Sequence, residues 1–400
     1  MMLTTWRRAL RRAGLFFCWQ GGRVGRMRTN VLELCRGGEV SGQQRQVIYL
    51  LSRLAGEGYT PIVIADNDGS FVRQLKARGI ETLILKLYSW RSLPRIFQRY
   101  QTASRFLKIA KSYNVQLIHA HDVWRAEYAR FISDQLGIPY VVHVRGPLGL
   151  RDIRKHRLDR ASAIIAIAQR YVDDLLAAGI SSDRIVLIDD GVDLELFSPD
   201  AIQERENGSA ADRNAVVIAF NGLSDAQRPV REFIEVVRHL DKFAKSPFRV
   251  KIIGSSNPSY PGELSDLIAS LNLTNTIALV DRIPSDRMPA FLAGIDILAS
   301  LSGGSTMFEA MAMEKAVFSA RADGRHSTHT VHDRTAWCVD TIDPLTCARQ
   351  LAKLIDDTDL RHRLAVAGRQ RVISSLDAEQ TIQETAKVYG RSRSMTPAVI

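Results

Sequence analysis

Four hundred residues with 46% hydrophobic and 24% charged content exceed what one ordinary core organises, and predict a two-domain globular chain at about 100–200 residues per domain. No apolar run approaches the roughly 20 residues of a membrane span, and Cys18, Cys35, Cys338 and Cys347 lack metal or disulfide-framework spacing, which fits a reducing compartment. The formal charge is +11, with seven arginines ahead of the first acid, Glu33; this bias favours anionic phospholipid, nucleic acid or phosphorylated ligands, and no nucleic-acid partner is expected, because that reading rests on charge alone and lacks aromatic interleaving.

Residues 1–26 read as a basic amphipathic extension. Leu3, Trp6, Leu10, Ala13 and Phe17 share one helical face, while Arg7, Arg8, Arg11 and Arg12 share the other, a pattern suited to lying on anionic lipid. The alternative is a leader outside the folded chain, with folding beginning near Met27. A signal peptide is disfavoured because Leu15 to Trp19 is too short and no small-residue cleavage site follows.

From 27 to 197 short apolar strands alternate with helices. Strands are expected over 29–34, 61–65, 81–85, 116–120, 139–144, 163–167 and 184–188. Helices are expected over 43–54, 70–78, 92–112, 123–136, 151–160 and 169–178. The stretch 198–214 is polar and reads as a linker. The alternation resumes over 215–375, with strands at 215–220, 248–253, 276–280, 295–301 and 316–319. Helices separate these strands at 229–244, 261–271, 286–293 and 306–314. Helices near 344–357 and 359–374 follow, and residues 376–400 form a last helix (377–389) and tail. Strict alternation means a parallel sheet covered on both faces. The fold class is therefore α/β, two doubly wound Rossmann-like domains facing a cleft, with ligands at the carboxyl ends of the strands.

One stretch, Asp296 to Ser319, reads as strand, glycine turn, helix, strand. Gly303 and Gly304, followed by Ser305 and Thr306, make a turn that feeds a helix start, where free N–H groups suit a phosphate. The competing reading is local: Thr306 and Glu309 have capping-box spacing.

Several segments, in order, resemble the glycosyltransferase family 4 pattern. Gly37-Gly38 with Gly42 resembles its first glycine loop. Leu117-Ile-His119-Ala-His121 resembles its histidine strand, and Ala161 to Ala168 its strand before the domain crossing. Val186 to Phe197, with Gly191-Val192-Asp193, resembles its crossing segment. Gly222-Leu223-Ser224 through Gln227-Arg228-Pro229 resembles the opening of its second domain. Phe308-Glu309-Ala310-Met311-Ala312 resembles its late helix, and Thr335-Ala336-Trp337 its late turn. Five positions depart from the pattern. Gly222 stands for an arginine, Gln227 for a lysine with Arg228 adjacent, Leu301 for a carboxylate, Arg145 for a histidine, and Asp190 for an asparagine.

The resemblance implies a GT-B fold and a retaining transferase that takes a sugar from a nucleotide-sugar donor, with no metal cofactor. It implies a lipid-linked or polysaccharide acceptor in surface glycan assembly, such as lipopolysaccharide. The location implied is the cytoplasm, peripheral on the inner face of the membrane. Arg145, His143 and Arg228 become the catalytic candidates, with Arg145 and Arg228 facing the departing diphosphate. Gly37, Gly38, Gly222, Gly303, Gly304, Ser305 and Thr306 become the donor-binding candidates, and Glu309 the holder of the ribose. The departures keep two alternatives open: a degenerate binding subunit of the same fold, and a sugar-nucleotide epimerase. Two histidine groups invite a metal reading. His119 and His121 share a strand face near Asp122, and His326, His329 and His332 recur every third residue. Core histidines and a polar loop are the competing readings.

Overall fold

The computed structural model describes residues 28–88, 90, 95–201, 214–221, 229–254, 262–324 and 326–394. The expected extension over 1–26, most of the linker, the tail, and the candidates Gly222 and Arg228 lie outside the described residues.

The first domain is a seven-stranded, all-parallel sheet. Its strands are β1 (Thr29–Cys35), β2 (Tyr59–Ala65), β3 (Glu81–Ile84), β4 (Leu117–Ala120), β5 (Tyr140–Val144), β6 (Ala163–Ala166) and β7 (Ile185–Leu187). They lie in the order β3-β2-β1-β4-β5-β6-β7. The second domain has six parallel strands, β8 (Val216–Asn221), β9 (Phe248–Ile253), β10 (Ile277–Val280), β11 (Ile297–Ser300), β12 (Ala316–Ala320) and β13 (Trp337–Val339). Their order is β10-β9-β8-β11-β12-β13. Both sheets reverse direction of growth once, between β1 and β4 and between β8 and β11. Such a switch point opens a crevice at the carboxyl ends of its strands.

Helices cover both faces. In the first domain they are α1 (Gly42–Arg53), α2 (Ser70–Ala77), α3 (Ile96–Ser112), α4 (Ala126–Leu136), α5 (Leu150–Lys155) and α6 (Gln169–Ala177). In the second they are α7 (Val230–Leu240), α8 (Glu263–Ser270), α9 (Met288–Ala293), α10 (Thr306–Ala312), α11 (Pro344–Asp356) and α12 (Thr358–Ser375). The expected helix at 123–136 begins as a 3₁₀ turn over Val123–Arg125, where the Asp122 carboxylate accepts the Arg125 N–H. The expected helix at 151–160 likewise splits at Arg157, whose φ of 51° breaks the α-helical run. Strand β13 has no sequence-level expectation, because three residues are too few for a period-2 signal.

The last helix, α13 (Ala378–Ser394), returns to the first domain. Ile382, Ala386, Val388 and Tyr389 complete the core formed by Val31, Val63, Leu117, Val141 and Ile165. Each fully buried aliphatic or aromatic side chain adds about 1.5–3 kcal/mol, so this helix clamps the domains together. The outgoing and returning chains meet at Val192, whose N–H donates to Leu376 O at 2.7 Å while Ala378 N–H donates to Val192 O at 3.0 Å. Val192 and Phe197 in turn pack into the second-domain cluster around Leu298, Phe308 and Met311. Among the described residues no helix is long and apolar enough to cross a membrane, and Cys35, Cys338 and Cys347 are free thiols.

Gly37 is required by close approach. A Cβ there would stand 2.0 Å from Asn67 O, and Gly37 N–H donates to Asp66 Oδ1 at 2.7 Å. Gly37→Ala must therefore separate two loops at the carboxyl edge of β1 and β2. A loss of about 1–3 kcal/mol is expected, the range for overpacking, read as a drop in urea midpoint at unchanged slope.

Candidate active site

The carboxyl ends of the two sheets face each other. Strand β11 ends in Ser300, whose Oγ accepts the N–H of Gly303 at 2.9 Å. Gly303 and Gly304 then take φ of 80° and 122°, values open to glycine and strained for other residues. The turn so formed delivers Ser305 to the start of α10. Across the gap sits Gly42 of α1, where an added Cβ would lie 3.3 Å from Ser305 Oγ. The first glycine loop thus meets the second across the domain boundary.

A crevice of about 130 Å³ opens beside this contact. Gly303, Gly304, Ser305 and Phe308 form its second-domain wall, with Ser319, Arg321 and His326. Arg170, Tyr171, Asp189 and Asp190 form its first-domain wall. The N–H groups of Gly304 and Ser305 donate to no described residue, so the turn offers donors to the crevice. Its two cations differ. The Arg321 guanidinium is held by Asp323, at 2.8 Å through both Nε and Nη2, and by Ser302 O at 2.8 Å. Arg170 lies over the Tyr171 ring at 4.7 Å and donates to its hydroxyl at 2.8 Å. It appears in none of the described ion pairs, and its buried Nε has no protein partner.

A larger cavity of about 530 Å³ lies wholly within the first domain. Tyr88, Trp90, Trp124 and Tyr128 give it aromatic walls, and Arg36, Arg125 and Lys155 contribute positive charge. Arg125 is clamped by Asp66 and Asp122. Burial, opposed by Arg125, raises the Asp122 carboxyl above its ordinary range. His143 and Arg145 line the same cavity.

The predicted site residues separate into groups. Gly303, Gly304 and Ser305 line the interdomain crevice. Thr306 does not line it; its hydroxyl accepts from Asn221 Nδ2 at 2.8 Å and ties α10 to β8. Gly37 and Gly38 pack against 67–69 and line neither cavity. Arg145 forms an ion pair with Asp190, and its Nη2 lies 3.4 Å from His143 Nδ1. His143 is buried, and desolvation followed by Arg145 holds its pKa well below the ordinary value.

Glu309 departs most from expectation. It is 1% exposed, and Arg45 of α1 reaches across the domain boundary to pair with its Oε1. Its Oε2 has no protein partner. Burial pushes its carboxyl up from the usual range, with Arg45 opposing. The capping-box reading does not hold: Ser305 occupies the N-cap, Glu309 N–H donates to Ser305 O at 3.1 Å, and the Glu309 side chain turns away to Arg45. Leu301, standing where the resemblance calls for a carboxylate, is 4% exposed in the second-domain apolar core. His326, His329 and His332 diverge rather than converge. They contact Ser319 and Asp340, Asp189, and the Cys338 N–H respectively.

Arg45, Arg170 and Arg321 were not singled out by sequence. Each is one arginine in a polar helix or turn with no spacing signal, and only the apposition of the domains brings them to the boundary.

Comparison with known proteins follows the same division of the chain. Residues 40–196 match the model of Glycosyltransferase Family 4, and residues 202–371 that of Glycosyl transferases group 1. The D-inositol 3-phosphate glycosyltransferase of Salinispora arenicola is 27% identical over 312 residues, covering 69% of this chain and 68% of the relative. That of Nocardioides is 24% identical over 422 residues, covering 92% and 89%. For the Corynebacterium efficiens enzyme the match spans about half of the relative's length, 51%. Among solved structures, a glycosyltransferase from Rickettsia africae superposes with a TM-score of 0.76 at 20% identity, covering 91% of this chain and 98% of that one. Anabaena Alr3699/HepE in complex with UDP and glucose gives 0.75 at 17% identity, covering 90% and 99%.

Proposed function

This chain belongs to the GT-B glycosyltransferases of the family 4 type, and on that premise we propose that it moves a sugar from a nucleoside-diphosphate donor to a lipid-linked or polysaccharide acceptor. The observation carrying the reading is the crevice at the second sheet's switch point, where a left-handed glycine turn presents unpaired N–H groups opposite Arg170. Such a turn and cation match a diphosphate. Two similar structures were solved with UDP or UDP-glucose bound, which favours a uridine nucleotide.

In this reading the donor's anomeric C–O bond breaks and the diphosphate leaves with the electron pair. The Gly304 and Ser305 N–H groups and Arg170 stabilise the developing charge. The acceptor hydroxyl attacks from the same face and passes its proton to the departing diphosphate oxygen, which retains configuration. Arg145, fixed by Asp190, orients the crevice's first-domain wall, and Glu309 Oε2 is the ribose contact once nucleotide has loosened the Arg45 pair. Arg228 and Gly222 would complete the donor side. No metal takes part in the transfer.

The first-domain cavity is the acceptor site. Its aromatic rings offer flat apolar faces for sugar rings, and Arg36 and Lys155 suit a phosphate. A small phosphorylated polyol is the second reading, favoured by the relatives, which are D-inositol 3-phosphate glycosyltransferases. The basic extension over 1–26 would hold the enzyme peripherally on an anionic cytoplasmic membrane face, where lipid-linked acceptors lie.

A melting series with nucleoside diphosphates and nucleotide sugars tests the donor assignment, since a ligand held only by the native state raises stability. Uridine nucleotides are expected to raise the melting temperature. Arg170→Ala is expected to weaken them about tenfold or more, the loss of one charge-assisted hydrogen bond. No shift with any nucleotide, and no donor hydrolysis, would instead favour the non-catalytic binding subunit.

A further inference from the structure

We propose that His119, His121 and His143 bind one divalent transition-metal ion, zinc being the best match, inside the first domain. The site goes beyond the transfer reaction and lies beside the first-domain cavity that His143 also lines.

Successive residues of a strand alternate faces, and parallel register aligns neighbours. Glu33 of β1 lies opposite His119 of β4, and His119 opposite Val141 of β5. His121 and His143 stand two residues beyond His119 and Val141, so all three imidazoles share the sheet face that α1 and α13 cover. Each offers a ring nitrogen, and the three lie within 4.8 Å of one another. The histidines are 0%, 1% and 2% exposed, in a layer otherwise filled by Val31, Leu117, Val141 and Ile165.

One nitrogen of each ring has no protein partner: His119 Nε2, His121 Nδ1 and His143 Nε2. Buried polar atoms are nearly always satisfied, so three orphans in one cluster point to a missing occupant. The outer nitrogens set the tautomers. His121 Nε2 lies 2.8 Å from Glu33 Oε2 and donates to that carboxylate. His119 Nδ1 lies 2.7 Å from the Tyr389 hydroxyl and 3.3 Å from Glu33 Oε2. Protons on those atoms leave lone pairs on His119 Nε2 and His121 Nδ1, turned away from Glu33. Arg145 Nη2 approaches His143 Nδ1 at 3.4 Å and can only donate to it, a long, weak contact. An ion on His143 Nε2 requires the imidazole proton on Nδ1, so binding displaces this contact.

An imidazole whose second nitrogen donates to a carboxylate is the usual support of a metal ligand. Three neutral imidazoles select zinc or a similar ion over magnesium and calcium, and a water completes the tetrahedron. The Glu33 carboxylate, 2.8 Å from His121 Nε2, offsets part of the ion's charge. At zinc–nitrogen lengths of about 2.0–2.1 Å the rings must close on the ion, which rotation about their side-chain bonds allows.

Untagged full-length protein, expressed with zinc and desalted, is assayed for metal by elemental analysis. About one ion per chain is expected. Cobalt(II) added to chelator-stripped protein should develop the intense visible d–d bands of a four-coordinate site, a readout that needs no variant. His143→Ala and His119→Gln should lose the ion and those bands, while exposed His362→Ala keeps both. Wild-type protein without metal and without cobalt bands overturns the site. So does His143→Ala that folds and retains a full equivalent of metal.

Discussion

Replacing Arg45 with alanine is expected to lower the unfolding free energy by about 3–5 kcal/mol, the cost of stranding a buried charge. Arg45 and Glu309 come from different domains, and their side chains are 10% and 2% exposed. The guanidinium also lies over the Phe197 ring at 5.8 Å, where the chain crosses between domains. Glu309→Ala should cost about as much by leaving Arg45 unpaired, whereas Arg45→Met with Glu309→Leu should recover most of the loss, because no charge then remains buried. Urea midpoints of the two single variants and the pair make the cycle. Additive losses, with the pair as unstable as the two singles summed, would show that the two side chains do not act as a unit.

Acid should unfold this protein earlier than its surface charges alone predict. Burial, then the charge of His119, lowers His121 from 6.5 to about 3, and burial, then Arg145, holds His143 well below its usual value. Glu33 falls from 4.5 to about 2. In each case the folded pKa lies below the unfolded one, so the unfolded chain binds more protons and stability is lost as pH falls. The histidine part begins near pH 6.5 and adds about 1.4 kcal/mol per pH unit for each ring that must stay neutral. The Glu33 part adds to it below about 4.5. Glu309, raised by burial, works in the opposite sense: its contribution is largest in acid and falls as pH rises through 4.5. One carboxyl does not offset two imidazoles. Urea unfolding of chelator-stripped protein from about pH 8 to pH 5 should show the decline, and His121→Gln should flatten it by one proton. A wild-type curve level from pH 6.5 to 5 would rule out the buried neutral histidines.

Alternation by itself makes the architecture legible. Strands such as Ile62 to Ala65 and Ile164 to Ala166 are short, apolar and β-rich, and the helices between them carry one apolar face. Such a pattern admits little besides a doubly wound parallel sheet. The glycine turn at Gly303-Gly304 was legible for the same kind of reason, since a local backbone conformation demands a particular residue. Arg157, by contrast, breaks its helix through a left-handed φ that its neighbours impose, and β13 exists only because β12 offers a free edge.

What the sequence determined by itself was therefore everything carried by local periodicity and local backbone demand: two α/β domains and a glycine turn at a strand end. The side-chain partnerships were decided by tertiary structure alone. Glu309 has its spacing in the helix whether it caps, holds a ribose or meets Arg45, and the partner lies 264 residues away. His119 and His121 share a strand face on any reading, yet Glu33, His143 and the returning Tyr389 join them only when β1, β4, β5 and α13 come together. Charges and imidazoles have no period. Their meaning depends on what the fold places within a few ångströms of them and on how far water is shut out.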